Sequence, residues 1–116
     1  MKMASVLLVE DEASLRDLVA EALSHFGHQA TIAENGVVAL QRLEDTAFDV
    51  LISDITMPEG VSGLDLAEHV LSRYPLSKVI LVSGHARDQL PPLPDNVIFL
   101  PKPYRMHQLL ELLPTP

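Results

Sequence analysis

The stretch SVLLVEDEAS, Ser5 to Ser14, sets an unbroken apolar run, Val6 to Val9, directly against three acids, Glu10, Asp11 and Glu12. A near-continuous run of Val and Leu suits a strand covered on both faces, as in a parallel sheet. The acids at its end are costly. Carboxylates about 4 Å apart repel by roughly 4 kcal/mol per pair at an effective dielectric near 20. The whole stability of a domain is only about 5–15 kcal/mol. Something of opposite charge must therefore stand beside this strand end.

Four further runs follow the first: QATIA, FDVLIS, KVILVS and NVIFL. Three of these are again almost continuous Val, Ile, Leu and Phe, whereas QATIA alternates and reads as an edge strand. Helical patterns lie between them. Leu15, Leu18, Val19, Ala22, Leu23 and Phe26 recur at helix spacing, and Gly27 stands where such a helix stops. Asn35 can cap a second helix running toward Asp45. Leu64, Ala67, Val70 and Leu71 mark a third, and Met106, Leu109, Leu110 and Leu113 the last. Strand and helix alternate, which calls for an α/β fold with right-handed crossovers. At this size the expected architecture is a flavodoxin-like, doubly wound parallel sheet of five strands in the order 2-1-3-4-5.

In that order strands 1 and 3 become neighbours at the topological switch point, and sites form beyond the carboxyl ends of the strands there. Those ends carry Glu10 and Asp11, then Asp54, Ser83 and Lys102. The set offers carboxylates, a hydroxyl and an ammonium, brought together from distant positions. Magnesium suits it, because Mg²⁺ takes one or two carboxylates, keeps waters and meets phosphate. Lys102 is placed to meet a phosphoryl oxygen, and Ser83 can donate a hydrogen bond to another. Asp54 is central and can act as a nucleophile that forms an aspartyl phosphate, with Mg²⁺ and Lys102 neutralising charge.

Composition narrows the remaining classes. The chain has 116 residues, 47% of them apolar, which fits one domain over residues 1–116 with no output domain. The apolar run after Lys2 ends at Glu10, so neither a signal peptide nor a membrane span is expected, and the expected location is the cytoplasm. There are no cysteines, which removes disulfides, thiolate catalysis and zinc–thiolate sites. A net charge of −8 argues against direct contact with nucleic acid. His25, His28, His69, His85 and His107 show no paired ligand spacing and read as surface or helix-end residues; His85, two residues after Ser83, borders the expected site.

The segments LLVEDE, DVLISDITMP, LVSGH and FLPKPY, in this order, resemble the motifs of two-component response regulator receiver domains, and the resemblance covers essentially the whole chain. It implies that Glu10 and Asp11 are the acidic metal-site pair, Asp54 the phosphoacceptor and the main-chain carbonyl of Thr56 a further metal ligand. Ser83 becomes the switch hydroxyl, Phe99 the switch aromatic and Lys102 the phosphate-binding lysine, with a cis bond expected at Lys102–Pro103. The implied partners are a histidine kinase or histidine phosphotransfer protein and a downstream protein, with the chain a monomer or weak dimer. Such a module reacts only at its own aspartate and is not an enzyme in the usual sense.

The chain departs from the family pattern in two places. The loop MPEGVSGLDL is a residue longer between Asp54 and Gly63 than in most receivers, as in receivers attached to hybrid sensor kinases. The span from Ser83 to Lys102 is short and holds Pro91, Pro92 and Pro94. Proline costs about 3 kcal/mol inside a helix and disfavours helical geometry in the residue before it. The crossover helix between the fourth and fifth strands is therefore expected to be short or missing, and loosely held. Other readings remain at this stage. A haloacid-dehalogenase-type phosphatase wants a second Asp where Thr56 stands. A flavin carrier wants a Ser/Thr/Gly-rich loop where the acids stand. A receiver-like scaffold works without phosphorylation.

Overall fold

The computed structural model describes residues 4–57, 60–86 and 89–113. Its elements follow in the order β1 (Ser5–Val9), α1 (Ala13–His25), β2 (Gln29–Ala33), α2 (Gly36–Asp45), β3 (Val50–Asp54), α3 (Gly63–Arg73), β4 (Lys78–Ser83), β5 (Val97–Pro101) and α4 (Met106–Glu111). The strands form one five-stranded sheet in the order β2-β1-β3-β4-β5, and every pairing is parallel. The expected order is the observed one, with β2 at an edge.

The continuous apolar strands are explained by the two layers they serve. Leu7, Val9, Leu51, Val79 and Leu81 face a core completed by Ala39 and Leu43 of α2 and Leu66, Ala67 and Val70 of α3. Their neighbours Val6, Leu8, Val50, Ile52, Ile80 and Val82 face the opposite core, completed by Val19 and Leu23 of α1 and by Leu109 and Leu113 from the C-terminal end. A strand with a helical layer on each side has no polar face to expose.

Local signals set the helix ends. Asn35 Oδ1 accepts the Val38 amide at 2.9 Å and starts α2. Ser62 and Asp65 form a reciprocal capping box on α3. Gly27 takes φ 86°. It lets its own amide reach Ser24 O, at 3.0 Å, and the His28 amide reach Leu23 O, at 2.9 Å. These paired bonds close α1 in a Schellman turn. The position after the glycine in this turn usually packs on the helix, and it carries His28 inward. His28 is only 7% exposed, against the expectation of a surface residue.

Two other expectations are corrected or sharpened. The apolar stripe of α1 is narrower than its spacing implies: Leu18 and Phe26 are 58% and 55% exposed, because only Val19 and Leu23 reach full burial under the helix. Between β4 and β5 no α-helix occurs among the described residues; one tight turn, with the Gln89 amide on Ala86 O at 2.9 Å, stands there instead. Residues 87–88 of this segment and the terminal Pro-Thr-Pro lie outside the described residues. The segment is nevertheless anchored, since Leu90 and Leu93 pack on the core of α2 and α3.

These contacts rank three substitutions. Ile80→Ala, at a fully buried position, is expected to cost about 2–5 kcal/mol in urea unfolding. Asn35→Ala should cost about 1 kcal/mol through the lost cap. Leu76→Ala, at a position 100% exposed, should stay within about 0.5 kcal/mol of the parent. A cost at Leu76 equal to that at Ile80 would contradict the placement of the core.

Candidate functional site

The strand register aligns the carboxyl ends. Val9 lies opposite Ser53, Asp54 opposite Val82 and Ser83 opposite Pro101. The residues at or just past these ends therefore meet on one rim of the sheet.

Glu10 is held at every polar group it has. Its amide donates to Ala33 O at 3.1 Å, and its carbonyl accepts Arg16 Nη1 at 3.0 Å. Its Oε2 accepts the Glu12 amide at 3.2 Å, and its Oε1 accepts Lys102 Nζ at 2.9 Å. The carboxylate thus serves the start of α1 and the site together, and Glu10 is 5% exposed. Asp54 ends β3. Its Oδ2 accepts the same ammonium at 3.1 Å, and its carbonyl accepts Ser53 Oγ at 2.9 Å. Asp11 stands outermost and exposed. One oxygen from each of Glu10, Asp11 and Asp54 lies within 4.8 Å of the others, a spacing at which a metal ion can be held.

Lys102 arrives from beyond β5. Its amide donates to Ser83 O at 2.8 Å, and the peptide bond that follows, Lys102–Pro103, is cis. Ser83 is 1% exposed. Its Oγ accepts the His85 amide at 3.0 Å, so in this state it is joined to the cluster through the Lys102 backbone rather than through its hydroxyl. Thr56 lies just past Asp54 at the surface. Phe99 sits on β5 opposite Leu81 and packs, partly buried, on the core of α2 and α3.

The electrostatics follow from one ammonium among three carboxylates. Burial raises the Asp54 carboxyl above its ordinary range; Lys102 opposes this and Asp11 adds to it. Burial also raises Glu10, with repulsion from Asp54 adding and the bonds from Lys102 and the Glu12 amide opposing. For Lys102 burial works against the charge, but the contacts with Glu10 and Asp54 outweigh it and hold the amine above its usual range. Tyr104, half-buried beside the site, is raised by its burial and then by Glu10. One ammonium faces three carboxylates, so the cluster keeps an excess of negative charge, which is the chemistry of a donor set that fits a further cation.

Ser53 and Arg16 were not legible as site residues. Ser53 is a lone hydroxyl in an apolar strand and Arg16 a lone cation in an acidic helix start, and those contrasts are the only sequence signal of either.

The response regulator receiver domain profile matches residues 6–113. The chain belongs to that family. It is 32% identical over 111 residues to the response regulator receiver protein CpdR of Brucella abortus, covering 93% of this chain and 92% of that protein. It is 38% identical over 111 residues to the sensor kinase CckA of the same organism, covering 91% of this chain but only 12% of the kinase. Among solved structures, the receiver domain of the hybrid histidine kinase CckA superposes with a TM-score of 0.79 at 33% identity, covering 92% of this chain and 93% of that one. A response regulator receiver protein from Sinorhizobium medicae superposes with a TM-score of 0.87 at 27% identity, covering 96% and 91%. Receiver domains are signalling modules of two-component systems rather than classical enzymes. They work with histidine kinases or phosphotransfer proteins and typically bind Mg²⁺ at an acidic pocket. No helix among the described residues is long and apolar enough to cross a membrane.

Both raised carboxyls give a signed expectation for the metal-free protein. A carboxyl whose folded pKa exceeds its unfolded value favours folding where it is protonated, and that contribution is lost as pH rises through the folded pKa. Asp54→Asn removes one such charge. In EDTA at pH 7 it should raise the melting temperature by a few degrees, and the gap should close below about pH 4. A lower melting temperature for Asp54→Asn at pH 7 would overturn this account of the cluster.

Proposed function

We propose that the chain is a phosphoacceptor module in which Asp54 takes a phosphoryl group from a phosphohistidine of a histidine kinase or histidine phosphotransfer protein. The observation that carries this reading is Lys102 Nζ, bonded to both Glu10 and Asp54 at the rim where the acid oxygens converge. An Asp54 carboxylate oxygen attacks phosphorus and the P–N bond breaks. Its electron pair returns to the imidazole nitrogen, and Asp54 becomes an acyl phosphate. Water later attacks the same phosphorus, releasing inorganic phosphate and restoring the carboxylate.

Glu10, Asp11, Asp54 and the main-chain carbonyl of Thr56 would hold Mg²⁺, which when bound neutralises phosphoryl oxygens and the acid cluster. Lys102 exchanges its carboxylate partner for a phosphoryl oxygen and so stabilises charge where it develops. The Ser83 hydroxyl turns its hydrogen toward another phosphoryl oxygen while its oxygen is already positioned by the His85 amide. Phe99, two residues before Pro101 on the strand paired with Ser83, completes the switch. The output surface is the segment between β4 and β5, read by a downstream protein, with the chain a monomer or weak dimer in the cytoplasm. Phosphorylation and loss of the phosphoryl group concern its own aspartate only.

Incubation with Mg²⁺ and acetyl phosphate should label Asp54 alone, with the acid stability and base lability of an acyl phosphate. Asp54→Asn should abolish labelling, and Lys102→Ala should slow it by about 10²-fold. Amide shifts should report Mg²⁺ binding in the parent and its loss in Asp11→Ala. Label retained in Asp54→Asn would overturn the assignment of Asp54, and a chain that takes no label while folded would replace this reading with that of an unphosphorylated interaction scaffold.

A further inference from the structure

The helix α2 begins at a residue without a side chain, and the reason lies in the loop after β3. A Cβ placed on Gly36 would stand 2.5 Å from Val61 O and 2.6 Å from both Val61 Cβ and Cγ1. Real side chains do not approach so closely. Gly36 is therefore a socket, and Val61 is the residue seated in it. Val61 is half-buried and packs on the core of α2 and α3.

The same loop has a second contact point. A Cβ on Gly63 would lie 2.2 Å from Asp54 O and 2.9 Å from Ile55 Cα. The Gly63 amide donates to Ile55 O at 2.8 Å. The returning arm of the loop is thus laid on the backbone of Asp54 and Ile55 at one point and on the first turn of α2 at the other. This is the loop that is a residue longer than in most receivers. Added length raises the number of conformations a loop can take, and the Val61 contact restricts its returning arm.

We propose that Val61, seated on Gly36, is a positioning residue for the phosphoacceptor site: it fixes the returning arm, Val61 to Gly63, against α2, and through Gly63 it fixes the Asp54 and Ile55 backbone that leads into the main-chain carbonyl of Thr56. The inference rests on the assignment of Asp54 and Thr56 to the metal and phosphoryl site. Neither Val61 nor Gly36 touches the reacting groups. Their effect is geometric, and a displacement of about 1 Å at a reacting centre can cost 10²-fold in rate.

Helix propensity and the socket make opposite forecasts for Gly36→Ala. Alanine is the better helix former, so propensity alone forecasts an unchanged site on a firmer helix. The socket forecasts an expelled Val61. In the full chain, Gly36→Ala and Val61→Gly should each weaken Mg²⁺ binding by about tenfold, read by amide shifts. Labelling by acetyl phosphate should slow at low Mg²⁺ and recover at saturating Mg²⁺. In the metal-free proteins the Gly63 amide should exchange about tenfold faster. The double variant Gly36→Ala/Val61→Gly should lose less than the sum of the single changes. Leu43→Ala, at a buried position farther along α2, should lower thermal stability and leave Mg²⁺ affinity unchanged.

Parent-like Mg²⁺ affinity in both single variants overturns the inference while leaving the site intact. An equal loss in Leu43→Ala also overturns it, since the effect would then be one of global stability. If Gly36→Ala does not fold, Val61→Gly decides alone. A parent chain that neither binds Mg²⁺ nor takes label overturns the site assignment itself, and the inference with it.

Discussion

A single ammonium group holds the rim of this molecule together. Lys102 Nζ reaches Glu10 at 2.9 Å and Asp54 at 3.1 Å, the first just past β1 and the second the last residue of β3. The sheet order makes this possible, because β1 and β3 are adjacent while the chain between them departs to the edge strand and returns. Lys102 spans from the far edge, tied to β4 by its own amide on Ser83 O. Remove the ammonium and buried carboxylates face one another without compensation, the costly case for charge in a protein interior. Keep it and the site still carries more negative charge than positive. The rim is stable enough to form and is left able to gain from another cation.

The rest of the rim is built to keep that arrangement in register. Ser53 and Ser83 are buried to 0% and 1% exposure, each with its hydroxyl oxygen bonded to nearby backbone. Buried hydroxyls without partners would cost more than they contribute, so these two bonds fix the strand ends locally. Arg16 closes the opposite side by donating to the Glu10 carbonyl. Repulsion among the acids is thus resisted by backbone hydrogen bonds as well as by Lys102.

Much of this was readable from residue order. Apolar runs of strand length gave the sheet, although β3 begins at Val50 rather than Phe48 and extends through Asp54. Caps such as Asn35 were readable because they act within a few residues of their partners. The convergence of Glu10, Asp54 and Lys102 followed from topology, since each ends a strand. What escaped was set by the shape of neighbours. The half-exposed Leu18 and Phe26 depend on how far the sheet extends under α1. The burial of His28 depends on a turn that begins with Gly27. The need for glycine at position 36 depends on Val61, far along the chain, and no local pattern announces it.

Among the described residues, the loops on either side of the site are held by different means. After β3 the chain is pressed on backbone at Gly36 and Gly63, where even a methyl group would not fit. After β4 the described residues are held by Leu90 and Leu93 packing on the core, by one tight turn and by the His85 amide on Ser83 Oγ. Lys102 touches both sides: its ammonium bonds Asp54, where the first loop begins, and its amide rests on Ser83 O, while the Ser83 hydroxyl oxygen accepts the His85 amide. The Lys102 backbone thus links the ion pairs at Glu10 and Asp54 to the end of β4 and to the residue that opens the segment after it. Among the described residues, the returning arm after β3 is therefore the more closely fitted of the two, and the stretch after β4 rests on side-chain packing.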